Sequence, residues 1–409
     1  MVPVELGELG RQLTEGIRRL QAEALPRLGE RRRQAREVLA RANAEPDRWR
    51  NLTQGLAGRT TWLAGVPAGP VLPPEAPPPA PADYLAVGLD GSQIRPDRHL
   101  PVWSYLINVG VALVRYGASP QARLFSEPSW HYLPEELVLT DPANSSRQVR
   151  VEGAVLAARR FIRELGKGVE LAETAPPDLP LLVLLDGSLV MWGLAGRRVE
   201  DFVREQLIRR ELLPLFGRLH RLVGAGRRVV VAGYISGPQS AEVVNALRLF
   251  ICPFDPTACA THCPSRSAFD GRACDDVGGV LDADLFRSEL RPGERTGLLE
   301  SQSSVVRELY GPYRVGFFYL NAGPEIARVE VPWFVAEDPD LLSLCHGLVW
   351  DQVQKGDGYP AVLSEAHEQA VIRGTDREVF RAMLLDALAR LGLAEAESAK
   401  AVAKRRRPL

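Results

Sequence analysis

Apolar residues recur at helical spacing from the start of the chain: Leu9, Leu13, Ile17, Leu20, Ala24 and Leu28. Arg31 to Arg33 and Arg36 then crowd one stretch of the same pattern. This predicts a long helix or helical hairpin over residues 6–42, standing outside a compact core. Residues 67–81 (PAGPVLPPEAPPPAP) follow as a proline-rich, extended and semi-rigid connector. Beyond it the hydrophobic period changes. Residues 84–89, 102–116 and 122–132 predict three strands, and residues 149–165 predict a helix with Val151, Val155, Ala158 and Ile162 on one face. A wholly apolar strand at 181–185 comes next, then a helix at 199–222, a strand at 228–234 and a helix at 241–250.

Three successive strands followed by alternating helices and strands predict an α/β fold built on a mixed sheet. The same element order is that of the ribonuclease H-like fold. Two more strands, at 313–320 and 326–331, precede a helical C-terminal region at 340–354, 361–372 and 377–391. The expected organisation is a helical arm (1–66), a connector (67–82), an α/β domain (83–391) with a cysteine-containing insertion at about 251–280, and a basic tail (392–409). The duplicated Asp-Gly-Ser aside, no internal repeat is present.

Composition narrows this picture little. The 409 residues carry a net charge of −1, so any phosphate-binding surface must be local. Lysine occurs only at 167, 355, 400 and 404, which leaves 46 of the 50 basic residues as arginine, the side chain suited to bidentate phosphate contacts. Five cysteines do not make a secreted disulfide framework, and no apolar run reaches membrane-spanning length. The expectation is a cytoplasmic protein with no membrane segment.

The candidate chemistry begins with two identical endings. The strands YLAVGLDGS and LPLLVLLDGS each run into Asp-Gly-Ser, at Asp90–Ser92 and Asp186–Ser188. A carboxylate at the end of a buried strand lies at a sheet edge, where ligands bind. If the strands are neighbours, the two like charges converge and call for a cation or a proton between them. Oxygen ligands favour Mg²⁺ or Mn²⁺. The competing reading is a turn after each strand. Glu152, at the start of the helix between the third and fourth strands, is a further candidate ligand, with Glu164, Glu170 and Glu173 as competitors. His367 lies in GYPAVLSEAHEQAVI, near Leu363, Ala366 and Ala370 on a helix, so a packed histidine is the alternative to a functional one.

These residues resemble the NurA family of prokaryotic DNA-end-processing nucleases. The resemblance rests on the two strand-plus-Asp-Gly-Ser segments, on FFYLNAGPEIARVEVPWF (317–334) and on the Tyr-Pro and Ala-His pattern of residues 356–372. It implies a ribonuclease H-like fold, Mn²⁺-dependent exo- and endonuclease activity on DNA ends, a homodimer, and partnership with a HerA-type hexameric translocase. It also implies that Asp90 and Asp186 hold metal, that His367 is the family's C-terminal histidine and that Glu152 matches its helix glutamate. The 34 residues from Glu152 to Asp186 depart from the shorter gap expected. Such a site would hydrolyse phosphodiesters with two metals. Rival classes are a non-catalytic repair scaffold and a small-molecule phosphohydrolase, though Gly91 and Ser92 after Asp90 break the Asp-x-Asp start of an aspartyl-phosphate enzyme.

A second constellation is Cys252, Cys259, Cys263 and Cys274, four cysteines within 23 residues, with His262 as a possible substitute ligand. In a cytosolic protein this points to a structural Zn²⁺ or an iron–sulfur cluster rather than disulfides, against a plain reading as small buried residues. Cys345 is expected in the core. The basic pairs Arg197–Arg198, Arg209–Arg210 and Arg227–Arg228, and the run at 404–407, read as solvated faces or as DNA contacts.

Overall fold

The computed structural model describes residues 5–98, 100–196, 198–263 and 272–393, so Arg197 and the basic run at 404–407 lie outside the described residues. The chain forms two compact units, the larger comprising Pro77–Ile235, Ser303–Val315 and the chain from Glu330 onward.

In the larger unit, β1 (Tyr84–Ile94), β2 (Tyr105–Tyr116) and β3 (Gln121–His131) form an antiparallel meander in continuous register. Helix α1 (Gly153–Thr174) crosses to β4 (Leu181–Asp186), and β5 (Val229–Ile235) follows. The strand order is β3-β2-β1-β4-β5, with β4 parallel to β1 and β5 parallel to β4. This is a mixed sheet with the connectivity of the ribonuclease H-like fold. Leu181–Leu185 and Val229–Tyr234 are buried throughout, as the continuous apolar runs of internal parallel strands require.

One local difference from the pattern expected of the sequence matters for the site. Residues 149–150 belong to a small hairpin, Val138–Asp141 paired with Asn144–Arg150, and α1 starts only at Gly153. Glu152 is the cap residue before it, in extended conformation. The helix runs on to Thr174 because Leu165, Gly168, Val169 and Ala172 continue its buried face, and it stops ahead of Pro176. The helix expected at 199–222 contains a π-helical stretch, Glu205–Leu212, just before Pro214, which lacks the amide needed to continue the normal ladder.

The C-terminal part carries the helices α2 (Pro339–Lys355) and α3 (Ala361–Ala370), and a further helix, Gly374–Arg390, follows them. Cys345 is buried on α2. Strand side chains alternate between faces, so Gly88, Asp90 and Ser92 point to one side of β1 and Gly91 to the other. Helix α3 lies directly on the first side. A Cβ at Gly88 would sit 2.0 Å from the Val362 carbonyl oxygen, and one at Gly110 would sit 2.1 Å from that of Ala366 and 2.3 Å from the amide nitrogen of Ala370. The missing side chains let helix backbone touch sheet backbone. Asn108 Nδ2 (2.9 Å) and Ser92 Oγ donate to the Ala370 carbonyl, closing the helix end that no intrahelical amide can serve.

Gly110→Ala should therefore destabilise the protein by about 3 kcal/mol, the upper end of overpacking costs, because the obstacle is backbone rather than a movable side chain. Urea denaturation monitored by circular dichroism measures this, and an unchanged midpoint would contradict the close packing.

The smaller unit comprises Met1–Ala76, Ser236–Gln302 and Gly316–Val329. Its helix runs from Leu6 to Ala44 with a π-helical turn at Leu20–Ala24. The arm has two different halves. Ala35, Val38, Leu39 and Ala42, with Trp49 from the next helix, join Val243, Leu247, Phe286 and Phe317 in one core. Leu6, Leu13, Ile17 and Leu20 instead stay more than half exposed. The first part of the proline-rich segment, up to Ala76, is also bound within this unit. Val66–Pro67 pairs with Leu299–Glu300, Asn43 Oδ1 accepts from the amides of Val71 and Leu72, and Glu75 pairs with Arg295. The unit boundary falls after Ala76. Proline content reveals missing donors but not the side chain, Asn43, that binds the remaining backbone groups. No described helix is long and apolar enough to cross a membrane.

Candidate metal centre

The register that pairs Leu89 with Leu185 makes Asp90 and Asp186 the next residues on adjacent parallel strands. Their side chains meet His367 from α3. Ligand atoms of all three lie within 4.8 Å of one another, the one such metal-capable group among the described residues. His367 Nδ1 is 2.8 Å from Asp90 Oδ2, and Asp90 Oδ1 accepts the Gly91 amide at 2.7 Å. The packed face of α3 is carried by Val362, Leu363, Ala366 and Ala370. His367 projects beside that face with its side chain 55% exposed, so it is not a packed core histidine.

The repeated Asp-Gly-Ser serves two different local structures. Gly187 has a φ of +120°, a value that only glycine adopts readily, and it turns the chain after β4. Ser188 Oγ there donates to Glu330 Oε2 (2.7 Å) and accepts from the Val190 amide and the Trp192 indole, both at 3.0 Å. Gly91 makes no turn, because β1 continues to Ile94. It is small for another reason. A Cβ there would lie 2.0 Å from Glu164 Oε1, so the gap at Gly91 admits a carboxylate from α1 on the other side of the sheet.

Glu164 is fully buried, and its Oε1 has no hydrogen-bond donor. Arg160 Nε lies 3.0 Å away, but its N–H is not aimed at that oxygen. Burial raises the Glu164 pKa from 4.5 to about 7; the Arg160 charge opposes this, and the charges of Asp90 and Asp186 add to it. Asp186 is likewise raised by burial and by Asp90, with a hydrogen bond from Tyr359 and the charges of His367 and Arg160 pulling the other way. The centre thus holds more carboxylate than its surroundings neutralise, an excess that a divalent cation would relieve.

Of the four residues expected from the sequence, Asp90, Asp186 and His367 come together and Glu152 does not join them. Glu152 lies about 18 Å along the helix from Glu164, twelve residues at 1.5 Å each. The other competitors point elsewhere: Glu170 pairs with Lys167 and Glu173 with Arg218. The signal for Glu164 was present in the periodicity, since it shares the buried stripe with Leu165 and Gly168, where an unpaired acid is costly. Tyr359 stands in the block GYPAVLSEAHEQAVI, and nothing in that pattern reveals its hydrogen bond to Asp186.

The NurA domain family matches residues 84–372. No curated protein sequence matches the chain. Among solved structures, the chain is similar to the crystal structure of LC9-RNase H1, a type 1 RNase H with the type 2 active-site motif. The likeness has 16% identity and a TM-score of 0.21, covering 41% of this chain and 71% of that one. With the family match spanning most of the chain, from the first strand of the sheet to the helix carrying His367, the chain belongs to the NurA family, a family of nucleases.

Proposed function

We propose that the protein is a Mn²⁺- or Mg²⁺-dependent deoxyribonuclease that trims DNA ends. The observation that carries this reading is the convergence of Asp90, Asp186 and His367. Two carboxylates and one imidazole suit Mn²⁺, which accepts both oxygen and nitrogen, better than a thiophilic ion. When bound, a pair of divalent cations would supply an activated water and charge stabilisation at the leaving oxygen of a phosphodiester.

The chain's own residues prepare that chemistry. Asp90 and Asp186, fixed on adjacent strands, would hold cations without having to move. The gap at Gly91 admits the Glu164 carboxylate, whose charge couples to those of Asp90 and Asp186. Tyr359 orients Asp186, and His367, solvent-facing, is placed to bind cation or to hand a proton to the leaving oxygen. Glu152, separated from this group, is assigned no part. A scaffold would have no need of two like charges and an imidazole converging at adjacent strand ends, which favours the enzyme over the non-catalytic reading. The family further supports a homodimer acting in the cytoplasm with a HerA-type hexameric translocase in double-strand-break repair. The exposed stripe Leu6, Leu13, Ile17 and Leu20 supports a part for the arm in that assembly.

The test is to incubate purified protein with end-labelled single- and double-stranded DNA in Mn²⁺, Mg²⁺ or chelator. Cleavage in metal that chelator stops is the expected result. Failure to cut either substrate with either cation, alone and with the translocase present, would overturn the reading.

A further inference from the structure

The four clustered cysteines, all in the smaller unit, play no part in the site above. They come from separate local elements. Cys252 ends the helix Glu242–Ile251, Cys259 opens the single helical turn Cys259–His262, Cys263 closes that turn, and Cys274 precedes the turn Asp275–Val277. All four nevertheless line one cavity, with His262 also at its wall. Each is a free thiol; Cys274 is buried and the other three are partly buried.

Two features of the surroundings indicate what the cavity holds. The first is a shortage of apolar packing. Between Cys252 and Cys274, Phe254 is 45% exposed, and Cys274 is the one residue among those described there that joins the buried apolar set. A segment with so little apolar surface to bury needs another source of order. The second is charge. The Arg248 guanidinium, itself buried, lies 3.7 Å from Cys274 Sγ, ion-pairs with Asp275 at 2.5 Å and stacks on Trp62 at 3.8 Å. Arg272 stands over the same indole at 5.5 Å. Arg248 is already paired with Asp275, and its contact with Cys274 Sγ would in addition favour a thiolate there.

We propose that Cys252, Cys259, Cys263 and Cys274 bind a thiophilic metal centre that staples this part of the smaller unit. On binding, the thiols release their protons to solvent and the sulfurs coordinate metal, so the free energy of coordination orders the segment. Soft sulfur selects zinc or iron, against the hard oxygens that Mn²⁺ or Mg²⁺ prefers. No three of the sulfur and imidazole ligand atoms lie within 4.8 Å of one another among the described residues. Around one tetrahedral zinc, with Zn–S of about 2.3 Å, the sulfurs would be about 3.8 Å apart. An iron–sulfur cluster holds its thiolates farther apart, so both occupants of the thiolate site are put to the test.

The full-length protein is purified anaerobically without a chelating tag and assayed for zinc, iron and acid-labile sulfide. About one zinc per chain, or iron with matching sulfide, is the expected result. Cys259→Ser/Cys274→Ser should lose that metal and melt at lower temperature. Asp186→Asn, altered only at the carboxylate site, should retain it. Absence of zinc, iron and sulfide, with all four thiols freely reactive in the native protein, would overturn the proposal. So would full metal content in the double cysteine variant. Neither outcome depends on whether the protein cleaves DNA.

Discussion

Asp90→Asn and Asp186→Asn should each slow metal-dependent DNA cleavage by at least about 10³-fold while leaving the fold intact. Cations at such sites supply several kcal/mol of transition-state stabilisation, and each factor of ten corresponds to about 1.4 kcal/mol. The substitutions are nearly isosteric and remove one of the charges that converge at the strand ends. Asp186 is raised by burial and by Asp90. Relieving that repulsion should leave metal-free stability unchanged or slightly higher. Single-turnover cleavage and thermal melts on the same preparations measure both effects. Activity within tenfold of the parent in either variant would remove that residue from the centre.

Glu164→Gln should reduce cleavage by at least about 10²-fold, the scale on which groups that position metal ligands act, whereas Glu152→Gln should leave it unchanged. Stability gives an independent readout. In the metal-free protein the Glu164 pKa is raised from 4.5 to about 7. A carboxyl raised in this way favours the folded state while protonated. That contribution is complete below about pH 4.5 and is lost as pH rises through about 7. Ionised Glu164 then costs about 3 kcal/mol at pH 8, at about 1.36 kcal/mol per pH unit of displacement. Without metal, Glu164→Gln should therefore gain stability over the parent by up to about that amount between pH 5 and pH 8. With Mn²⁺ the order should reverse, because the parent alone gains a cation ligand. A structural glutamate would show no such reversal. Equal melting temperatures of the two proteins in Mn²⁺ at pH 8 would assign Glu164 that lesser role.

Taken alone, the sequence determined the elements that hydrophobic period can encode. The apolar runs of β4 and β5, the meander of β1 to β3 and the helices that follow were legible because burial on both faces, or on one stripe, imposes its pattern locally. Asp90 and Asp186 were legible for the same reason, as polar residues ending apolar strands. Placing His367 beside them needed the family's residue pattern, since nothing in the helical period of α3 connects it to a strand some 277 residues earlier.

Tertiary structure decided the rest. The start of α1 depends on whether residues 144–150 pair with residues 138–141, a non-local choice that leaves Glu152 as the cap before the helix instead of a residue within it. The two glycines of Asp-Gly-Ser look identical in sequence, yet one supplies a left-handed turn and the other an opening for a carboxylate from across the sheet. Gly88 and Gly110 gain their meaning only from the helix backbone seated on them. Hydrophobic periodicity reports which side of an element is buried; it carries no information about which group lies against that side, and the chemistry of the centre depends on those contacts.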